Sequence, residues 1–329
     1  MNAPPVLLLS RSAIAALATT REYLAAMQTA FADLAQGRFD VPAVGHVAGV
    51  GGMFHIKAAQ RAGSPSLAAI KVNGNFPQNA VRRKLPTIQG LVALLDAESG
   101  CVLALMDSIE ITARRTAAAT ALAAQHLART DSRTLAMIGC GVQARYHVEA
   151  LLDVRRIESV SFCDPRDEAA ETFAARMREL GLRARRVDDA KAAARGADIV
   201  VTVTTSTSPL LALADIAPGT FVAGVGADNP AKHELAADLL NASGVIVDSL
   251  AQASVMGDLH HDLKTGVMQP NVRGELADLV ARKVTGRQHD DERWVFDSTG
   301  LSIEDLAAAE LLYERARAAG GVPELVLGN

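Results

Sequence analysis

This 329-residue chain has little aromatic character, with one Trp, three Tyr and eight Phe, so any core must be built mainly from Ala, Val and Leu. It has only three cysteines, Cys101, Cys140 and Cys163. They share no CxxC spacing, so neither disulfides nor a structural zinc is expected, only reduced and buried thiols. No uninterrupted apolar run approaches the ~18 residues of a membrane span. An excess of one charge is lacking too: 33 Lys and Arg stand against 37 Asp and Glu, a formal net charge of -4. That balance gives no general attraction for nucleic acid or anionic lipid. The densest basic cluster, Arg82-Arg83-Lys84 beside Pro86, reads as a solvated loop. Pro4-Pro5-Val-Leu-Leu-Leu9 lacks a basic leader and an apolar core of signal-peptide length, so a cytoplasmic location is expected. What is present is length and apolar content, 49% hydrophobic, sufficient for two ordinary domains.

Thr20 is expected to cap a helix from about Arg21 to Gln36, with Leu24, Met27, Phe31 and Leu34 on one face and Gly37 as its stop. Strand candidates follow at Met53 to Ala58, Ala69 to Asn73, Leu91 to Asp96 and Cys101 to Met106. The last two look like a hairpin joined through Ala97-Glu-Ser-Gly100. This portion reads as α+β with a largely antiparallel sheet. Asp107-Ser-Ile-Glu110 has the spacing of a capping box and opens a long Ala-rich helix reaching about Ala128. Strands and helices then alternate, with strand candidates at Thr134 to Ile138, Ser159 to Cys163, Ala184 to Val187, Asp198 to Thr204, Phe221 to Val225 and Val245 to Asp248. Their Val/Ile-rich, weakly alternating character fits a doubly wound parallel sheet covered on both faces. After the apolar segment Trp294-Val-Phe-Asp297, a last helix from about Ile303 to Ala318 is expected to pack back on the first domain.

Gly139-Cys-Gly141-Val-Gln-Ala144 directly follows the first of those parallel strands and opens a helix, the arrangement of a phosphate-cradling turn in a dinucleotide-binding βαβ unit. Gly139 and Gly141 permit close backbone approach, while Val142, Gln143 and Ala144 begin a helix whose free N–H groups point at the pyrophosphate. The next strand ends in Asp164, about 20 residues on, where a carboxylate accepts from ribose hydroxyls and repels a 2′-phosphate. That favours NAD. Arg166, two residues further, can pair with such a phosphate and keeps NADP open. The plainer alternative for Asp164-Pro165 is a turn after a strand.

Strand alternation puts His55 and Lys57 on one face of Met53 to Ala58, and Lys71 with Asn73 on one face of Ala69 to Asn73. Such a set suits a carboxylate and a proton transfer. By pattern alone the simpler reading is the wet face of an antiparallel sheet. Arg114 and Arg115 point about 100° apart on their helix, so one at most faces a given site. Gly224-Val-Gly-Ala-Asp228-Asn-Pro230 offers a carboxylate, Asp228, at the expected carboxyl edge of the parallel sheet, or else a turn-forming Asx before Pro230. His260-His261 has no companion metal ligands at recognised spacing and reads as solvent-facing. Gly49-Val-Gly-Gly52 leads into a strand, so it is a turn and no second phosphate loop.

Six stretches, in this order, carry a resemblance. They are Leu85-Pro-Thr-Ile-Gln-Gly90, Ala104-Leu-Met-Asp-Ser-Ile-Glu-Ile-Thr-Ala-Arg-Arg-Thr-Ala117, the Gly139 loop, Gly224-Val-Gly-Ala-Asp228, Glu234-Leu235 and Val295-Phe-Asp-Ser-Thr-Gly300. Through them the chain resembles the ornithine cyclodeaminase and mu-crystallin family along nearly its whole length. The resemblance implies a homodimer with a Rossmann-type NAD(P) domain, residues 119–301, and a discontinuous α+β substrate-binding and dimerisation domain, residues 1–118 and 302–329. It implies that Lys71 contacts the substrate carboxylate and assists proton transfer, that Arg115 binds that carboxylate, and that Asp228 is the acid/base group. His55, Lys57 and Asn73 are then expected to line the substrate, and Thr204, Val225, Ser298 and Gly300 to complete the cofactor edge. No metal is expected. Two departures bear on specificity. The stretch Pro42-Ala-Val-Gly-His46 lacks the family's arginine, whose contact Lys57 can supply, and His55 stands where ornithine cyclodeaminases have a glutamate for the distal amine. The leading expectation is therefore an NAD(P)-dependent reductase of a small α-imino acid, such as a ketimine, cyclic imine or iminosuccinate, or the reverse amino-acid dehydrogenase. The alternatives are an ammonia-releasing cyclodeaminase and a non-catalytic mu-crystallin-like ligand binder.

Overall fold

The computed structural model describes residues 4–40, 43–265 and 270–327. The chain divides into two compact units, 1–116 with 301–329 and 117–300.

The first unit begins with β1 (Val6–Leu9), α1 (Arg11–Leu17), α2 (Thr20–Ala35), β2 (Ala43–Gly49), β3 (Gly52–Arg61), β4 (Leu67–Asn75), α3 (Asn79–Arg83), β5 (Ile88–Asp96) and β6 (Val102–Asp107). Helix α4 (Ser108–Leu127) carries the chain into the second unit. That unit holds β7 (Thr134–Ile138), α5 (Val142–Leu152), β8 (Ser159–Cys163), α6 (Asp167–Glu179), β9 (Arg183–Arg186), α7 (Ala190–Ala194), β10 (Ile199–Thr202) and β11 (Thr207–Leu211). It continues through a 3-10 turn (Leu213–Asp215) to β12 (Phe221–Gly224), β13 (His233–Leu235), α8 (Ala237–Asn241), β14 (Gly244–Val247) and α9 (Leu250–Ala253). Then come α10 (Leu259–Thr265), β15 (Val272–Glu275), α11 (Leu276–Val280) and β16 (Trp294–Asp297). The first unit is completed by α12 (Ser302–Ala319) and β17 (Glu324–Leu325).

In the first unit a seven-stranded sheet runs β17-β1-β6-β5-β4-β3-β2, antiparallel except for the β1/β6 pair. One face carries Leu67, Ala69, Val92, Leu94, Ala104 and Met106, all buried. Over it lies α12, which packs on β3, β4, β5 and α2 as the sequence led one to expect. Each fully buried Leu, Met or Phe here contributes about 1.5–3 kcal/mol. The N-cap of α2 is Thr19, one residue before the expected Thr20. Its Oγ1 accepts from the Glu22 N–H while the Glu22 carboxylate accepts from the Thr19 N–H, a reciprocal box that Thr20 has no partner to build. Asp107 does begin α4, accepting from the Ile109 and Glu110 N–H groups, but Glu110 turns away to Arg114. Arg82 and Arg83 are exposed on the short helix α3 rather than in a loop, because Pro86 lies beyond its end.

In the second unit an eight-stranded sheet, every neighbouring pair parallel, runs β15-β14-β16-β12-β10-β7-β8-β9. The order β9-β8-β7-β10-β12 is that of a Rossmann-type doubly wound sheet, whose crevice opens between β7 and β10, where the winding reverses. Every residue of β10, β12 and β16 is buried, which accounts for their apolar sequences up to the polar Thr202 and Asp297 at the carboxyl ends of β10 and β16.

Candidate functional site

Gly139 directly follows β7 with φ at +91°, and a Cβ there would lie 2.9 Å from the Val203 carbonyl oxygen, so only glycine lets the β7 and β10 loops approach this closely. Gly141 is the N-cap of α5 and supplies no side-chain acceptor, leaving the first turn of an 11-residue helix to an outside anion. Gln143 Oε1 is buried there without a hydrogen-bond partner. This cradle fits a dinucleotide pyrophosphate. Thr204, Val225, Ser298 and Gly300 stand just beyond the carboxyl ends of β10, β12 and β16, the edge where such sheets bind ligands.

Asp164 differs from expectation. It does not stand open for ribose hydroxyls: Oδ2 accepts from the Cys140 N–H at 2.8 Å and from Arg166 Nη2 at 2.9 Å, and Oδ1 accepts from Arg166 N and Nε at 2.9 and 3.0 Å. A desolvated carboxylate takes the nearest guanidinium, and here that is only two residues away. Burial pushes the carboxyl up, but the Arg166 and Cys140 hydrogen bonds outweigh it and hold Asp164 below the usual range. Burial, then Asp164, pushes the Cys140 thiol up to about 12, so no thiolate forms in the loop.

In the first unit, register brings the polar strand residues together. Lys57 is opposite Lys71 and His55 opposite Asn73, all on the face that carries α12, while His46 faces His55 with ring centroids 4.9 Å apart. Pro42, at the start of the stretch lacking the family's arginine, lies outside the described residues. Lys71 and Arg115 are both 4% exposed and converge on two acids of α12. Lys71 Nζ lies 2.5 Å from Asp305 Oδ2; Arg115 Nε donates to Asp305 Oδ1 at 3.1 Å and Nη1 to Glu304 Oε2 at 2.9 Å. Burial lowers Lys71 to about 8 against the support of Asp305, with Arg115 and Lys57 lowering it further. Burial also pushes Asp305 up, but Arg115 and then Lys71 outweigh this and hold it below the usual carboxylate range. Arg114 is the outward member of the arginine pair, bound to Glu110.

Asp228 is more than half exposed, and Lys232 Nζ binds its Oδ1 at 2.7 Å. His260 is a correction: it is fully buried, since its Nδ1 bonds the Gly257 carbonyl, and its ring packs on His261, which stacks on His233. Among the described residues no group of three or more His, Cys, Asp or Glu is arranged to hold a metal ion.

The sequence profile of the ornithine cyclodeaminase/mu-crystallin family matches residues 6–320. The chain belongs to this family. Among solved structures, an archaeal alanine dehydrogenase dimer with bound NAD aligns with a TM-score of 0.92 and 32% identity, over 98% of this chain and 99% of that one. The Δ1-pyrroline-2-carboxylate reductase of Thermococcus litoralis, in complex with NADH and L-proline, aligns with a TM-score of 0.92 and 32% identity over 97% and 100%. The iminosuccinate reductase of Paracoccus denitrificans is 31% identical over 322 residues, 97% of this chain and 99% of that protein.

Within this cyclodeaminase/crystallin chain, sequence reasoning missed the acids. Glu304 and Asp305 follow the quoted Gly300 motif and sit in a helix turn otherwise filled by Ile303, Leu306 and Ala307. Two adjacent carboxylates in so apolar a run were the available signal. A second group, Glu234, Asp258 and Asp297, is buried at the carboxyl edge of the parallel sheet. Burial raises all three above the ordinary carboxyl range, Asp297 to about 7. Glu234 and Asp297 lay in stretches that carried the resemblance, but without a role there, and Asp258 lay in none.

Proposed function

We propose that the chain is an NAD(P)-dependent oxidoreductase that reduces a small α-imino acid to an L-amino acid, or runs the reverse dehydrogenation. The observation that carries this is the buried convergence of Lys71 and Arg115 on Glu304 and Asp305. With Lys57, whose field reaches both Lys71 and Asp305, three cations stand against two carboxylates. The surplus of one positive charge complements a single substrate carboxylate in a site from which water is largely excluded. Lys71 and Arg115 hold that carboxylate, and Lys71, with a proton that leaves near pH 8, and Asp228 manage the proton on nitrogen. A bound nicotinamide supplies the hydride. His55 and Asn73 border the remainder of the substrate, and an imidazole at His55 does not pair an ammonium as a carboxylate does, which disfavours ornithine cyclisation.

The relatives bound to NAD or NADH support NAD(H) as cofactor. The sheet face opposite the site exposes Val47, Phe54, Ile70 and Leu91, an apolar strip that a second copy would cover in a homodimer. Light scattering on purified protein gives the mass of a dimer if so. No helix among the described residues is long and apolar enough to cross a membrane, and the free cysteines fit a cytoplasmic setting.

The deciding assay incubates the protein with NADH or NADPH and a panel of imines: pyruvate with ammonia, cyclic imino acids and iminosuccinate. Ornithine with NAD is run separately. Nicotinamide oxidation with an imine supports the proposal. Proline and ammonia from ornithine without net nicotinamide change overturns it in favour of a cyclodeaminase, and binding without turnover in favour of a ligand carrier.

A further inference from the structure

Glu234 lies on the short strand β13 with no exposed surface, yet it accepts three hydrogen bonds, one from the end of β10 and one from each of two different loops. Its Oε1 accepts from the Thr204 N–H at 2.6 Å, beyond β10, and its Oε2 accepts from Thr202 Oγ1 and from the Gly226 N–H, each at 2.7 Å. Gly226 in turn accepts from the Asp228 N–H at 2.9 Å. A Cβ on Gly226 would lie 2.5 Å from Glu234 Oε1, so loop and carboxylate fit with no room between them. Behind Glu234 stand two more carboxylates in series. Asp258 Oδ1 accepts from the Glu234 and Leu235 N–H groups at 2.7 and 3.0 Å, and Asp297 accepts from the Asp258 and Leu259 N–H groups at 3.1 and 2.9 Å. Each acid grips the backbone amides that carry the next one. Three buried carboxylates are a costly way to fill space that apolar side chains would fill better, so their arrangement calls for another purpose.

We infer that Glu234 is a positioning residue that ties the loop after β10 to the loop after β12 and thereby sets the stance of Asp228. The inference deepens the proposed reductase and rests on that reading for the role of Asp228. Glu234→Gln replaces one accepting oxygen by an NH2 group that faces an N–H donor, breaking one tie while keeping shape. Thr202→Val removes the 2.7 Å hydrogen bond to Glu234, together with a 3.5 Å contact to the Ala223 carbonyl, leaves both loop N–H ties in place and serves as the gentler variant should Glu234→Gln fold poorly.

Amide hydrogen exchange on the intact chain needs no substrate. In Glu234→Gln, exchange at Thr204, Gly226 and Asp228 should accelerate by roughly tenfold or more, as loss of about 1.4 kcal/mol of local protection implies, while β7 and β8 amides stay as in the wild type. With an imine that the wild type reduces, kcat should fall by about tenfold or more and KM for the imine should stay within about twofold, because the carboxylate is held by Lys71 and Arg115. Thr202→Val should move both readouts in the same direction by less. Unchanged exchange at the three loop amides overturns the tie. Accelerated exchange with an unaltered kcat overturns its bearing on Asp228. A wild type that reduces no imine defeats the proposed function instead, and exchange still decides the tie.

Discussion

Replacing Asp305 by asparagine would remove one carboxylate from a fully buried set and leave Lys71 without its 2.5 Å partner. Arg115 would keep Glu304, so the loss falls mainly on the lysine. Removing one member of a buried ion pair costs about 3–5 kcal/mol, because the remaining charge stays desolvated. At about 2–4 °C per kcal/mol, Asp305→Asn should lower the melting temperature of the unit formed by 1–116 and 301–329 by roughly 10 °C. The same change acts on the proton. Lys71 already sits at about 8 rather than its ordinary 10.5, and Asp305 is the group opposing that depression. In imine reduction the ammonium form is the active one, so wild-type kcat/KM should decline as pH rises through about 8, and in Asp305→Asn the decline should begin at lower pH. Stability follows with a defined sign. A lysine whose folded value is depressed makes the native state gain stability as pH climbs from that value toward 10.5, and the variant should begin that gain earlier. Differential scanning calorimetry and a pH-rate profile on one preparation test both. An unshifted alkaline limb together with a melting temperature within about 2 °C of the wild type would refute the claim that Asp305 sustains the Lys71 charge.

Arg115→Leu should abolish turnover and cost about 3–5 kcal/mol by stranding Glu304 and leaving Asp305 with Lys71 alone, while NADH titration by fluorescence shows binding preserved. Lys71→Met should also abolish turnover but destabilise less, since Asp305 retains Arg115; comparable unfolding losses in the two variants would contradict that ranking. Arg166→Ala should uncover Asp164 for the ribose and restore its repulsion of a 2′-phosphate, so the ratio of kcat/KM for NADPH over NADH should fall by about tenfold. Arg155 donates to the Ala124, Ala128 and Arg129 carbonyls at the end of α4, so Arg155→Ala should lower the stability of the unit 117–300 by about 2–3 kcal/mol in urea denaturation.

The second unit was the more legible part of the chain, because its strands are buried on both faces and announce themselves as Val/Ile runs of the right length. Ser159–Cys163 has the same ends in sequence and structure. The strands that escaped notice are β1, β2, β11, β13, β15 and β17. Apart from β1, which is a short apolar run behind two prolines, they lie at sheet edges or in the two-stranded sheet; β2, β11, β15 and β17 carry little burial to impose a pattern, and β13, though Glu234 and Leu235 are buried, is too short to show one. At the candidate site, alternation was enough to group His55 with Lys57 and Lys71 with Asn73 on one face of each strand, whereas the pairing of Lys57 with Lys71 and of His55 with Asn73 is set by the β3/β4 register. It could not supply Asp305, which meets Arg115 across 190 residues of chain. Nor could a spacing argument foresee Arg166 folding back on Asp164, a choice of rotamer driven by desolvation.

The same long separation has a consequence for how the protein is made. Lys71 and Arg115 leave the ribosome well before α12, so throughout synthesis of residues 117–300 both cations lack Glu304 and Asp305. The dinucleotide unit has all its strands at that stage and can fold as a unit, whereas the first sheet must wait for the last helix to close over it. A chain interrupted near residue 300 therefore ends as a folded nucleotide-binding unit attached to an unfinished sheet with two stranded charges, a ready substrate for chaperones and proteases.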